Sequence, residues 1–129
     1  MGKTITEDFV SFEIAKLLKE KGFDEPCRSV YEEKILRVNT MCDYFNSELS
    51  SYVCAPTLQM AMKWLREVHK IDIDILSRLS LNADDDHCYS YVIKHQYDKY
   101  AFKTYTDGEY QYFEDAVEAA LIYCLENLI

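Results

Sequence analysis

Residues Ile71, Ile73 and Ile75 alternate with Asp72 and Asp74, a period of two that a helix cannot use. An extended strand turns that alternation into one apolar face and one carboxylate face, so the spacing predicts a strand over 71–79. The segment Asn82-Ala83-Asp84-Asp85-Asp86 reads as a turn, after which Tyr89, Tyr91 and Ile93 oppose Cys88, Ser90 and Val92 in a second strand over 88–95. Tyr97-Asp98-Lys99 turns the chain into a third strand, Tyr100–Thr106, and Asp107-Gly108 closes it. A three-strand antiparallel meander with one apolar face needs cover, and helices are the elements left to supply it.

Two helices flank the meander. Ala55-Pro56-Thr57 provides a turn and an N-cap, and Leu58, Ala61, Met62, Leu65 and Val68 follow on one face of a helix over 57–69. Phe113, Ala116, Val117, Ala120, Leu121, Cys124 and Leu128 trace a wide apolar stripe through 112–128. The C-terminal part therefore has the order α-β-β-β-α. A further helix over about 6–21 begins at the capping-box spacing Thr4-Ile5-Thr6-Glu7, carries Val10, Ile14, Leu17 and Leu18, and ends at Gly22 with Phe23 as its apolar contact. Residues 27–55 are less patterned. Val30-Tyr31 and Ile35 to Val38 flank Glu32-Glu33-Lys34 and fit an N-terminal hairpin, and Met41 to Phe45 fits another short strand. The expected class is α+β: a small antiparallel sheet with helices packed on one face. At 129 residues, a single domain is expected.

The stretch from Cys54-Ala55-Pro56-Thr57-Leu58-Gln59 through Lys63-Trp64-Leu65-Arg66-Glu67, with the acidic, alanine-rich ending from Glu114 to Asn127, resembles a set of short uncharacterised proteins of gut Bacteroidetes and their phages and mobile elements. The resemblance covers about 54–129. No activity, cofactor or catalytic residue travels with that group, and it implies an accessory protein of a bacterium or phage. The α-β-β-β-α order is also that of double-stranded-RNA-binding domains, but those need lysines where the last helix begins, and this chain has Glu109, Glu114 and Asp115 there.

Charge bounds the partners. The net charge is −9, and residues 71–129 carry 4 basic against 12 acidic groups. Phosphate backbones and anionic membrane faces are repelled by such a surface, so neither nucleic acid nor membrane is expected as a partner. The longest uncharged stretches, such as 49–62, are broken by Ser, Gln and Pro and are too short to span a bilayer. The first residues reach acids before any apolar run, so a cytoplasmic location is expected. Five cysteines at 27, 42, 54, 88 and 124 match neither a disulfide framework nor a C-x-x-C site and read as reduced, mostly buried thiols.

No constellation points to a reaction. Asp84-Asp85-Asp86-His87 lacks the glycine and distant glutamate of a calcium loop and reads as a solvated turn, so no metal and no cofactor are expected. His69, His87 and His95 have no serine elbow or paired nucleophile placed by sequence. Glycines stand only at 2, 22 and 108, which rules out a phosphate-binding loop. Eight of the 11 tyrosines fall within 35 residues, a density that strands demand and that interfaces also favour. The leading expectation is a non-enzymatic protein acting by contact with another protein or a second copy of itself. Asp72, Asp74, Tyr89, Tyr91 and His95 are the candidate binding residues, on an open, acidic face suited to a basic partner. The alternative is a small-molecule or nucleotide-like ligand held by tyrosines on the sheet.

Overall fold

The computed structural model describes residues 7–38, 40–78, 88–99 and 101–129. Among these it contains three α-helices and two three-stranded antiparallel sheets, an α+β fold. They form two compact units, one within residues 1–61 and one within 62–129.

In the first unit, α1 (Phe12–Glu20) starts later than its apolar spacing suggests. Ser11 is the N-cap, its side chain accepting from the Ile14 N–H at 3.3 Å. The expected start near residue 6 is corrected for the described part of that segment. Phe9 bridges Thr57, the Val10 N–H donates to the Pro56 carbonyl at 3.0 Å, and the Asp8 carbonyl accepts from the Leu58 N–H at 2.9 Å. Val10 is wholly buried in this extended segment, so its helical distance from Ile14 cannot separate the two conformations. The far end behaves as expected. Gly22 has φ +94°, the Phe23 N–H reaches the Leu18 carbonyl at 2.9 Å, and the Gly22 N–H reaches Lys19 at 3.2 Å, a complete Schellman motif over a buried Phe23.

Strands β1 (Val30–Glu32) and β2 (Ile35–Arg37) form the expected hairpin. Its turn residues Glu33 and Lys34 both have positive φ, which lets a two-residue loop follow the strand twist. The third strand is β3 (Tyr52–Cys54), paired with the other side of β1; Met41 to Phe45 is not a strand, and of it only Tyr44 bridges, to Cys27. Asn46 explains the displacement. Its buried side chain donates to the Phe23 carbonyl at 2.8 Å and accepts from the Cys54 N–H at 2.9 Å, fixing a 3-10 turn at Asn46–Glu48 between Tyr44 and the real strand. Helix α1 packs on β3.

Helix α2 (Leu58–His69) is capped by Thr57, whose hydroxyl accepts from the Met60 N–H at 3.1 Å. Lys70 at φ +59° ends it and starts β4 (Ile71–Arg78). Strands β5 (Cys88–Asp98) and β6 (Ala101–Tyr110) complete the meander in the order β4-β5-β6. The Asn82–Asp86 turn, His87 and Tyr100 lie outside the described residues. Asp107-Gly108 does not close the third strand as expected. Tyr89 pairs with Tyr110 and Tyr91 with Asp107, so β6 gains one residue at a bulge where Gly108 takes φ +97°, and a Cβ there would overlap the Tyr110 ring. Helix α3 (Phe113–Asn127) lies across all three strands. Ala116, Val117, Ala120, Leu121, Cys124 and Leu125 are fully buried on it, and each large aliphatic among them contributes about 1.5–3 kcal/mol of burial.

Candidate functional site

Strand register sorts the meander into two faces. Ile71 pairs with His95, Ile73 with Ile93 and Ile75 with Tyr91, and across the next ladder Ile93 pairs with Tyr105 and His95 with Lys103. Directly paired residues share a face, so these form the side that α3 covers. Ring contacts agree: Tyr89 meets Phe113 at 6.0 Å and Tyr105 meets Tyr123 at 5.3 Å, both partners belonging to α3. The other face carries Asp72 opposite Lys94, Asp74 opposite Val92, and Thr104 and Thr106 opposite Lys94 and Val92.

The five candidate binding residues are therefore divided. Asp72 and Asp74 are exposed on the open face as expected, whereas Tyr89, Tyr91 and His95 alternate onto the face beneath α3. Tyr91 is only 4% exposed and stacks on Tyr110 at 6.3 Å. Burial pushes its hydroxyl up to about 12, with Asp107 adding to the effect. His95 borders a hollow of about 290 Å³ with Tyr97, Lys103, Tyr105, Asn127 and Leu128. His69 lies edge-on to Trp64 at 4.7 Å; burial, then the neighbouring His95, lowers its pKa from the usual 6.5.

The open face is not simply acidic. Lys94 lies 3.5 Å from Asp74, both side chains 55% exposed, so the carboxylate is partly answered within the sheet. At the end of this face a cleft of about 500 Å³ is lined by Arg66, Lys70, Asp72, Lys94, Gln96, Lys99 and Ala101. Four cations and one carboxylate share it. Residues 62–129 hold only seven lysines and arginines against 13 acids, so more than half of the unit's positive side chains converge on one place.

Three elements build the convergence. Arg66 and Lys70 are four residues apart, on the last turn of α2 and just past its end, where cations also complement the helix dipole. Lys94 and Gln96 alternate onto the same side of β5, and the Gln96 N–H donates to the Lys70 carbonyl at 3.0 Å, fastening the end of α2 to the strand. The β5–β6 turn brings Lys99, whose carbonyl accepts from the Gln96 side chain at 3.3 Å. The Lys70 ammonium donates to the Glu67 carbonyl at 3.2 Å, and Arg66 stands 3.9 Å from Glu67. These cations are exposed, and contacts of this kind are worth only about 0–1 kcal/mol each in water, so their side chains can turn to an incoming anion.

Sequence reasoning missed this cleft because net charge averages over the whole segment. The Arg66 to Lys70 spacing and the Asp72 to Lys94 pairing were the available signals, and the second needs the register. Among the described residues no three metal-ligating side chains come together, and no helix is long and apolar enough to cross a membrane. No family model matches the chain, nor does any curated protein or solved structure.

Proposed function

We propose that the chain is a non-catalytic binding protein that works by contact with another protein, and that the cleft of Arg66, Lys70, Lys94 and Lys99 receives carboxylates from an acidic segment of that partner. Four cations gather there on a chain of net charge −9. A field of that sign in a concave site attracts an acidic segment and orients it, while the acids elsewhere repel wrong approaches. Gln96 adds an amide at the cleft, and Leu76, 48% exposed further along the same face of β4, leaves apolar surface on that face. A phosphate backbone fits less well. It would have to continue over residues 71–129, where acids outnumber bases 12 to 4. The resemblance of 54–129 to short proteins of Bacteroidetes and their phages suggests an accessory role in a bacterial cytoplasm.

A fluorescent hexaglutamate peptide tests the reading by anisotropy. Saturable binding at low salt is expected, weakening with added salt and falling at least about tenfold when Arg66→Glu and Lys94→Glu are combined. Equal binding by the double variant would overturn the assignment of the cleft. Tighter binding of a short DNA duplex than of the peptide, lost in the same variant, would replace the protein partner with a nucleic acid.

A further inference from the structure

In the first unit two cysteines far apart in sequence meet at one backbone carbonyl. Cys27 bridges Tyr44 in both directions, its N–H donating to the Tyr44 carbonyl at 2.9 Å and its carbonyl accepting from the Tyr44 N–H at 2.7 Å. The Cys54 thiol donates to that same Tyr44 carbonyl at 3.3 Å from the end of β3. The Cys27 thiol donates to the Glu25 carbonyl at 3.6 Å, and both residues are buried, Cys27 at 6% exposure and Cys54 at 0%, close enough that each shifts the other's ionisation. Asn46 holds the Cys54 backbone through its N–H, and the Tyr44 bridge holds Cys27, so the encounter is set by the fold on both sides.

The two sulfurs are not equivalent. The neighbouring Cys27 thiol lowers the Cys54 pKa against burial and the Asp24 carboxylate, which both raise it, and Lys19 assists. The Lys19 ammonium is anchored on the Leu49 and Tyr52 carbonyls at 2.9 and 3.0 Å. Cys27 is held protonated by the neighbouring Cys54 and by burial. Cys54 is thus the more readily deprotonated of the two and Cys27 the one that keeps its proton, a division of roles suited to a two-step oxidation.

We propose that Cys27 and Cys54 form an oxidisable pair that closes to an intramolecular disulfide on reaction with a peroxide. The Cys54 thiolate attacks a peroxide oxygen; the S–O bond forms, the O–O bond breaks, and the departing hydroxide is protonated to water. The Cys27 sulfur then attacks the Cys54 sulfenic sulfur, the S–S bond forms, the S–O bond breaks, and hydroxide leaves with the Cys27 proton as a second water. Two thiols are oxidised and one peroxide is reduced to two waters. Two cysteines drawn to one backbone carbonyl reach an S–S bond of about 2 Å by side-chain rotation and a small backbone adjustment. Cys54 itself is closed to solvent, so peroxide enters when the isolated Cys27–Tyr44 bridge opens, and the reaction is slow relative to that of an exposed thiol.

The test uses the full chain carrying Cys42→Ser, which removes the exposed cysteine and leaves four thiols. Peroxide treatment should consume two of the four under denaturing titration and yield a crosslinked peptide pair containing Cys27 and Cys54, lighter by two hydrogens and separated by reductant. With Cys27→Ser added, oxidation should stop at the Cys54 sulfenic acid, which dimedone captures; with Cys27 present, capture should be at least several-fold lower. Four thiols surviving, a crosslink through Cys88 or Cys124 instead, or equal dimedone capture with and without Cys27 would overturn the pairing.

Discussion

The two faces of the β4–β6 sheet are made by the same strands and serve opposite ends. Beneath α3, Ile71, Tyr91 and Ile93 are buried and meet a helix whose own Val117, Leu121 and Leu125 are closed to solvent. On the opposite face Asp72, Asp74, Lys94 and Gln96 are exposed, and Asp74 and Lys94 answer each other at 3.5 Å. A shift of one residue separates a side chain that holds the fold from one that water or a partner can use. Stability is therefore concentrated on the covered face, and the open face is free to vary its charges.

The widest separation of the two faces should come from Leu121→Ala. Removing its buried side chain is expected to cost about 2–5 kcal/mol, read as a shift of the urea midpoint. A cost below about 0.5 kcal/mol would detach α3 from the core and erase the distinction. Gly108→Ala comes next. It places a Cβ at φ +97° and against the Tyr110 ring, so a loss of about 1–3 kcal/mol is expected in the same melts.

Alkaline pH sharpens the contrast without mutation. Burial pushes the Tyr91 hydroxyl from 10 to about 12 and the Cys124 thiol from 9 to about 12, so these groups keep protons in the folded chain that the unfolded chain releases. Their contribution is fully present below pH 9 and is lost as pH rises from 9 towards 12, lowering the urea midpoint over that interval. Tyr91→Phe should flatten the tyrosine part of that decline. The smallest effect belongs to the open face, where Asp74→Ala or Lys94→Ala should change stability by about 0.5 kcal/mol or less.

Features set by neighbouring residues were legible in the sequence. The isoleucine alternation specified β4, Thr57 and Gly22 punctuated two helices, and Glu32-Glu33-Lys34 marked the hairpin turn. What escaped depends on distant contacts. Asp8 to Val10 are extended because Pro56 to Leu58 pair with them, and β3 forms at Tyr52–Cys54 because Asn46 turns the chain after Tyr44. Asp107-Gly108 looks like a turn from its residues alone and is a bulge because β5 continues opposite it. The same holds for the site. Asp72 and Asp74 could be placed on the open face from periodicity, but the face of Tyr89, Tyr91 and His95 required the register of β5 against β4. The cationic cleft required a helix end, a strand and a turn to be assembled at once.

Amide chemical-shift mapping of the full chain titrated with hexaglutamate tests whether the open face binds an acidic partner through its basic cleft. Saturable shifts should centre on Arg66, Lys70, Lys94, Gln96 and Lys99, with the buried amides of α3 unmoved. Shifts centred instead on Lys103 and Tyr105 in the hollow beside α3, or spread over Lys16 and Lys21 in the first unit, would contradict it.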